Sequence, residues 1–353
     1  MSSPAVAGQD TPVFDPYDSD TVRAQLLAFL GEETGARVEV RNLTRFTVGF
    51  SWVTYGFRAA WNGQSRDLIL RIGPPRGIFA PYLARPEFVT LKTLRQAGMK
   101  VPDVYWYDDS GRVFGAPFFI CEWVAGDVPI PWTEDGKPAF DEGARRTLGA
   151  QFFDILADLH NFDWRTTEVA ELDAGVTPET AATGQIDAWV SRMRGWSEVR
   201  YPMLEWAAAW FHDHAPVAQR VSIVHGDFRI GNFLETDGQI QAFLDWELVH
   251  LGDPLEDLGW TCMRAWRGRS EYMCHLLTRD ALLERYCART GLEVTLRDLA
   301  YWEAFGTFKL AIMHLAAFHC FEKRGFNDMR MAGMGAQIPR MLLQVEKALE
   351  EAQ

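Results

Sequence analysis

Asp227, Asn232 and Asp245 are the residues of this 353-residue chain whose types and spacing most directly suggest a reaction. They lie in Val224-His225-Gly226-Asp227-Phe228-Arg229-Ile230-Gly231-Asn232 and in Phe243-Leu244-Asp245-Trp246-Glu247, so Asn232 follows Asp227 by five positions and Asp245 follows Asn232 by thirteen. Phosphoryl transfer needs a carboxylate beside the acceptor hydroxyl and oxygen ligands for Mg²⁺, whose octahedral shell prefers carboxylate, amide carbonyl, phosphate and water. One loop and the end of the next strand supply all three. The plainer reading of the same residues is a set of turn residues capping strands.

The elements around them fall into two groups. Residues 1–20 are rich in Ser, Pro and Asp and are expected to be a disordered terminus; residues 21–30 carry Val22, Leu26, Leu27 and Leu30 at helical spacing, with Ser19 or Asp20 as cap. Alternating or β-branched runs follow at 38–43, 53–61 and 67–72, the last two joined by Asn62-Gly63, a strong hairpin signal. A helix is expected over 86–97 and strands over 104–107 and 117–124. From about residue 141 long amphipathic helices take over, interrupted at 221–244 by the segment that holds the candidate chemistry. The expectation is therefore an α+β chain in two lobes with a cleft between them: a lobe at 21–125, a small antiparallel sheet with one crossing helix, and a larger, mainly helical lobe at 126–353 that holds the candidate chemistry.

Composition narrows the function classes. Nearly half the residues are apolar and the formal charge is −13, which argues against a nucleic-acid partner, since phosphate backbones need a basic footprint. An acidic balance tolerates cationic ligands better, although acidity often serves solubility alone. Cys121, Cys262, Cys274, Cys287 and Cys320 show no paired spacing and read as buried reduced thiols. The N-terminus lacks a basic stretch followed by an apolar core, and no apolar run reaches the roughly 18 residues of a membrane span. The expectation is a cytoplasmic protein with no membrane partner. His314 and His319 read as packed helix residues, as do Trp206, Trp210, Trp260 and Trp266.

The His225-Gly226-Asp227 loop with Asn232, and then Leu244-Asp245-Trp246-Glu247, Gly252-Asp253-Pro254 and Asp257-Leu258, resembles the aminoglycoside phosphotransferase family of small-molecule kinases, in the protein-kinase-like superfamily. The resemblance is strongest to the branch found fused to some acyl-CoA dehydrogenases. It covers nearly the whole chain from about residue 25 and implies the bilobal protein-kinase-like fold, with 21–125 as the nucleotide-binding lobe and 126–353 as the catalytic and substrate-binding lobe. It also implies transfer of the γ-phosphoryl group of ATP or GTP to a small-molecule hydroxyl, with Asp227 as base and Asn232 and Asp245 holding Mg²⁺. Candidate acceptors are a hydroxyacyl-CoA or other hydroxy acid, an aminoglycoside, or a sugar or amino alcohol.

By the same resemblance Arg229 neutralises charge on the transferring phosphate, with an ion pair to a nearby carboxylate as its alternative. Arg71 stands where the superfamily has a phosphate-binding Lys, with Glu87 placed to pair with it; an edge-strand Arg is the other reading. Glu122 and Trp123 fall at the adenine hinge. Gly49 and Ser51, in the first hairpin, contact phosphate or merely make a turn. His225 is expected to hold the loop rather than act as base, and Asp257 to fix the loop or cap a helix; Glu247 and Asp253 could line the acceptor pocket or face solvent. The single Gly of that hairpin and the Arg at position 71 keep open a catalytically inactive nucleotide-binding or scaffold protein. There is no Asp-Phe-Gly or Ala-Pro-Glu segment of the protein-kinase kind.

Overall fold

The computed structural model describes residues 14–47, 49, 51–134, 136–323 and 328–353. The expected disorder of residues 1–20 lies largely outside them. From Phe14 onward the chain is tied down: the Phe14 ring packs on Phe114, and the Tyr55 hydroxyl donates to the Pro16 carbonyl at 2.9 Å. Helix α1, Ser19–Thr34, begins two residues before the expected start because Asp18 is the cap, its carboxylate accepting the Asp20 N–H.

The chain divides into two compact units. The first holds α1 and a five-stranded antiparallel sheet made of β1 (Glu39–Phe46), β2 (Val53–Trp61), β3 (Gln64–Ile72), β4 (Val104–Asp108) and β5 (Phe118–Glu122), in the order β1-β2-β3-β5-β4. Asn62 and Gly63 both take positive φ, as a two-residue hairpin turn requires, and set Trp61 opposite Gln64. Because side chains alternate along a strand, Tyr55, Phe57, Leu68, Leu70, Ile72, Phe118 and Ile120 share the buried face with Leu26, Phe29 and Leu30 of α1. The other face carries Thr54, Gly56, Ile69, Arg71, Phe119 and Cys121, paired across the ladders.

The second unit begins with α2 (Arg85–Gln96), of which all but the first residue belongs here. The helix expected to cross the small sheet is anchored within this unit: Lys92 pairs with Glu168 at 2.7 Å, and beyond the helix the Lys100 carbonyl accepts the Phe243 N–H. The elements that follow are α3 (Glu142–Asn161), α4 (Ala181–Trp196), α5 (Pro202–Asp213), β6 (Ser222–Val224), β7 (Phe233–Thr236), β8 (Gln239–Phe243), β9 (His250–Gly252), α6 (Leu255–Cys262), α7 (Arg264–Arg267), α8 (Arg279–Thr290), α9 (Leu296–Lys323), α10 (Met329–Ala336) and α11 (Ile338–Ala352). β7 pairs with β8, and β6 with β9.

By length and composition α9 could cross a membrane, contrary to the expectation that no run is long enough. It is instead a core helix, packed on α4, α6, α10 and α11, with 72% of its most apolar stretch buried. Gly259 makes the α6–α9 approach possible, since a Cβ there would stand 2.4 Å from that of Trp302. None of the five cysteines is in a disulfide; four are buried and Cys287 is half-buried.

Candidate active site

β6 runs into the loop 225–232, and the loop's shape begins with Gly226. Its φ is +83°, and a side chain there would meet the Leu248 carbonyl oxygen at 2.6 Å, so only glycine fits between His225 and Asp227. The His225 Nδ1 accepts the Asp227 N–H at 3.2 Å, which places its proton on Nε2, and Nε2 donates to the Leu244 carbonyl at 2.9 Å. Burial pushes the His225 pKa down against the attraction of Asp257 and Asp227, in keeping with this neutral tautomer. The imidazole is thus a strut between the loop and the end of β8, as its expected holding role requires.

Asp257, in the first turn of α6, accepts the N–H groups of His225 at 2.7 Å and Gly226 at 2.8 Å. His160 Nε2 approaches it at 3.3 Å, and His160 Nδ1 is bonded to the Tyr286 hydroxyl at 2.6 Å. Burial alone would raise the Asp257 pKa, but the His160 bond and the nearby His225 bring it below the ordinary value. Beyond Asp227 the loop is held by the Thr261 hydroxyl, which donates to the Phe228 carbonyl at 2.6 Å, and by the Cys274 thiol, which accepts the Ile230 N–H at 3.5 Å. The Phe228 ring stacks on Phe243 with centroids 4.1 Å apart, against Phe152.

Three side chains aim the Asp227 carboxylate. Oδ1 accepts Arg229 Nε at 2.9 Å and Trp260 Nε1 at 2.7 Å, while Oδ2 accepts Asn232 Nδ2 at 2.6 Å. Asn232 also donates to the main-chain carbonyl of Asp227 at 2.9 Å, which commits its amide nitrogen, so that any contact to a cation would fall to its oxygen. The Leu244 N–H donates to the Asn232 carbonyl at 2.8 Å, and the Leu244 carbonyl receives His225, so the residue preceding Asp245 is held on both sides. Asp245 itself sits at φ +60°, a left-handed conformation that Asp adopts more readily than most residues. The spacing of five and thirteen is therefore closed by hydrogen bonds into one cluster.

Arg229 forms an ion pair, and with Asp227 itself; its guanidinium also lies 4.6 Å from the centre of the Trp266 ring. Trp260, expected as a packing residue, packs on Trp266 and also bonds Asp227. No pattern in the sequence distinguishes that indole from the other tryptophans. Another residue missed from the sequence is Lys309: its charge within the apolar run of α9 is an unusual placement that could have flagged it.

Asp253 does not face solvent. It is buried at the start of α6, accepting the Leu255 N–H at 2.9 Å, and burial raises its pKa to about 7. Relative to an ordinary carboxylate, the folded protein then keeps this proton as pH climbs from about 4 to 7, so the associated stability is full below that window and is lost as pH rises through it. Asp253→Asn keeps the acceptor oxygen and removes the titration. Thermal denaturation at pH 5 and pH 8 should show a smaller drop in Tm for the variant than for the wild type, with a remainder from Glu303, whose pKa burial also raises to about 7. An undiminished drop would mean that Asp253 does not titrate in this range.

In the first unit, Arg71 lies on β3 opposite Thr54 and Phe119, its guanidinium 5.7 Å from the ring centres of Trp52 and Phe119. On the same sheet face Phe46, Gly56, Arg58, Asp67 and Trp123 surround a hollow of about 400 Å³. A Cβ on Gly56 would intrude on the Trp123 ring at 2.7 Å and on Phe46 at 3.0 Å. Glu122 lies in β5 opposite Leu68, and the Trp123 N–H is taken by the Asp67 carbonyl at 3.1 Å, so this amide continues the sheet. Ser51 is buried, its carbonyl accepting the Tyr82 hydroxyl, and Gly49 is exposed; Val48 and Phe50 of the same hairpin lie outside the described residues. Glu87 is buried in the first turn of α2, in the second unit.

A family model described as the phosphotransferase enzyme family matches residues 45–304. Acyl-CoA dehydrogenase family member 10 of Mus musculus is 27% identical over 307 residues, 83% of this chain and 27% of that protein. The chain thus spans little more than a quarter of that relative's length. A candidate aminoglycoside phosphotransferase from Ralstonia eutropha superposes with a TM-score of 0.72 at 21% identity, covering 94% of this chain and 99% of the other. The GDP and kanamycin complex of APH(2")-IIia gives 0.57 at 17% identity, with 94% and 100% covered. The fold is that of the protein-kinase-like phosphotransferases.

Proposed function

The chain belongs to the phosphotransferase enzyme family of small-molecule kinases, and we propose that it moves the γ-phosphoryl group of ATP or GTP to the hydroxyl of an anionic small molecule. The observation that carries this reading is the Asp227 carboxylate, aimed by Arg229, Trp260 and Asn232, with Asp245 near enough to act on the Arg229 charge. Asp227 orients the acceptor hydroxyl and takes its proton as the oxygen attacks. Arg229 keeps Asp227 in place and offers its remaining nitrogen to the transferring phosphate. The Asn232 oxygen and the Asp245 carboxylate form a hard oxygen donor set that suits Mg²⁺. When bound, Mg²⁺ neutralises charge on the nucleotide phosphates.

Arg71 is assigned to the α- and β-phosphates. The hollow on the Gly56 face accommodates the base, and the flat faces of Phe46 and Trp123 flank it. Because the Trp123 amide is taken, hinge recognition falls on its carbonyl or on residues beyond it.

The acceptor assignment rests on a pocket of about 730 Å³ in the second unit that reaches Trp266, the ring covered by Arg229. Among the described residues Arg145, Arg267 and Arg269 line it, against one carboxylate, Glu271. Arg145 donates to the Phe140 carbonyl, and Arg267 to the carbonyls of Cys262 and Ser270. Guanidinium groups steadied by neutral carbonyls in this way keep charge for a ligand. Such a lining favours a hydroxy acid or hydroxyacyl-CoA over a polycationic aminoglycoside, whatever the overall charge of −13 suggests. The test is Mg²⁺-dependent nucleotide consumption across hydroxy acids, hydroxyacyl-CoAs, sugars, amino alcohols and aminoglycosides. With the best anionic acceptor, Arg267→Ala/Arg269→Ala should raise KM about tenfold and leave kcat nearly unchanged, since these contacts bind ground and transition states alike. Turnover confined to aminoglycosides would overturn the acceptor class.

A further inference from the structure

Lys309 occupies the middle of the apolar helix α9, with 1% of its side chain exposed. Its ammonium donates to the Gly226 carbonyl at 2.6 Å and to Glu256 Oε1 at 3.0 Å, and it lies 4.7 Å from the centre of the Trp260 ring. Glu256 Oε2 in turn meets His250 Nε2 at 3.1 Å, and His250 Nδ1 is bonded to the Leu248 carbonyl. An ion pair this deeply buried adds little stability over apolar residues of the same volume, so stability alone gives no reason for a lysine here.

What distinguishes the site is the peptide that receives the charge. The Gly226 carbonyl and the Asp227 N–H belong to one planar unit, and that unit is held at both ends, by Lys309 on oxygen and by His225 Nδ1 on nitrogen. Its orientation sets the direction in which Asp227 leaves the backbone. Through Trp260 the same ammonium touches a second route to the reacting carboxylate, because the indole N–H donates to Asp227 Oδ1 at 2.7 Å. Gly226 has no side chain to stiffen its own turn and is free in φ, so the clamp must come from elsewhere.

We infer that Lys309 is a positioning residue for phosphoryl transfer, fixing the Gly226–Asp227 peptide and the Trp260 indole so that the Asp227 carboxylate is held in line with the acceptor. Its part in turnover rests on the kinase reading above; its hold on the loop does not. Asp227 is reached only through backbone and indole, so the loss of Lys309 displaces the base without removing any group that binds nucleotide or acceptor.

The test is the double variant Lys309→Met/Glu256→Gln, which removes both charges together and nearly conserves volume. A sub-ångström to ångström displacement of a catalytic group costs up to about a hundredfold, so kcat should fall about tenfold to a hundredfold with both KM values within about twofold of wild type. Amide hydrogen exchange of the peptide spanning residues 222–233 should accelerate, while α9 and α11 exchange as in the wild type. Lys309→Arg with Glu256 intact should recover part of the loss, because a guanidinium still donates to both oxygens. Unchanged exchange in 222–233 in a folded double variant would overturn the inference whatever the turnover. A wild type that turns over no acceptor would sink the kinase reading instead, leaving the exchange measurement to decide the hold on the loop.

Discussion

Asp227→Ala should lower kcat by about 10²–10⁴-fold, the usual worth of a general base in place, while Mg²⁺-dependent nucleotide binding stays within a few-fold of wild type. The reason lies in how Asn232 is held. Its amide nitrogen donates to the Asp227 carboxylate and also to the Asp227 main-chain carbonyl, and the second bond survives truncation. Asp227→Asn, often taken as the gentler change, should do worse on binding. The carboxylate accepts three donors, two on Oδ1 and one on Oδ2. An amide oxygen can keep Arg229 and Trp260, but its NH₂ group then faces the NH₂ group of Asn232. Turning the Asn232 amide over relieves that contact and consumes the oxygen assigned to Mg²⁺. Turnover and nucleotide affinity measured side by side, with and without Mg²⁺, should therefore show both variants inactive and only the Asn variant weakened in Mg²⁺-dependent binding. Full activity in the Ala variant would remove Asp227 from the mechanism, and equal binding in the two would remove Asn232 from the metal site.

The sequence made the cluster legible because oxygen-bearing side chains at fixed spacing carry their own chemical meaning. The sheet was legible for a similar reason: its alternation and the Asn62-Gly63 turn are local signals, and the ladders reproduce them. What the sequence could not show is what depends on distant chain segments meeting. Trp260 lies 33 positions from Asp227 and Lys309 lies 83 from Gly226, and neither residue type names its partner. Arg229 shows the opposite failure. Its type and place suggested either a phosphate contact or an ion pair, and only the geometry reveals that the partner is Asp227. The overall charge, which tolerates cationic ligands or serves solubility alone, is a sum over the surface and cannot see three arginines gathered around one pocket.

Asp245 carries the other large expectation. Asp245→Asn should weaken nucleotide binding in the presence of Mg²⁺ by at least about tenfold, since an anionic oxygen next to a divalent cation outweighs a neutral amide oxygen in the same place. The variant keeps the backbone, because Asn adopts φ +60° as readily as Asp does, so the change isolates the charge. Asp245→Ala is a poorer probe: a residue of that kind in the left-handed region costs about 1–2 kcal/mol, and part of any effect would then come from the loop. The informative quantity is the gap between affinities with and without Mg²⁺, read by calorimetry. In the wild type the gap should be large, and in the Asn variant it should nearly close while metal-free binding, assigned above to Arg71 and the Gly56 face, should stay the same. A gap that persists would show that Asp245 does not hold the metal, and its left-handed backbone would then need a purely structural explanation in the turn between β8 and β9.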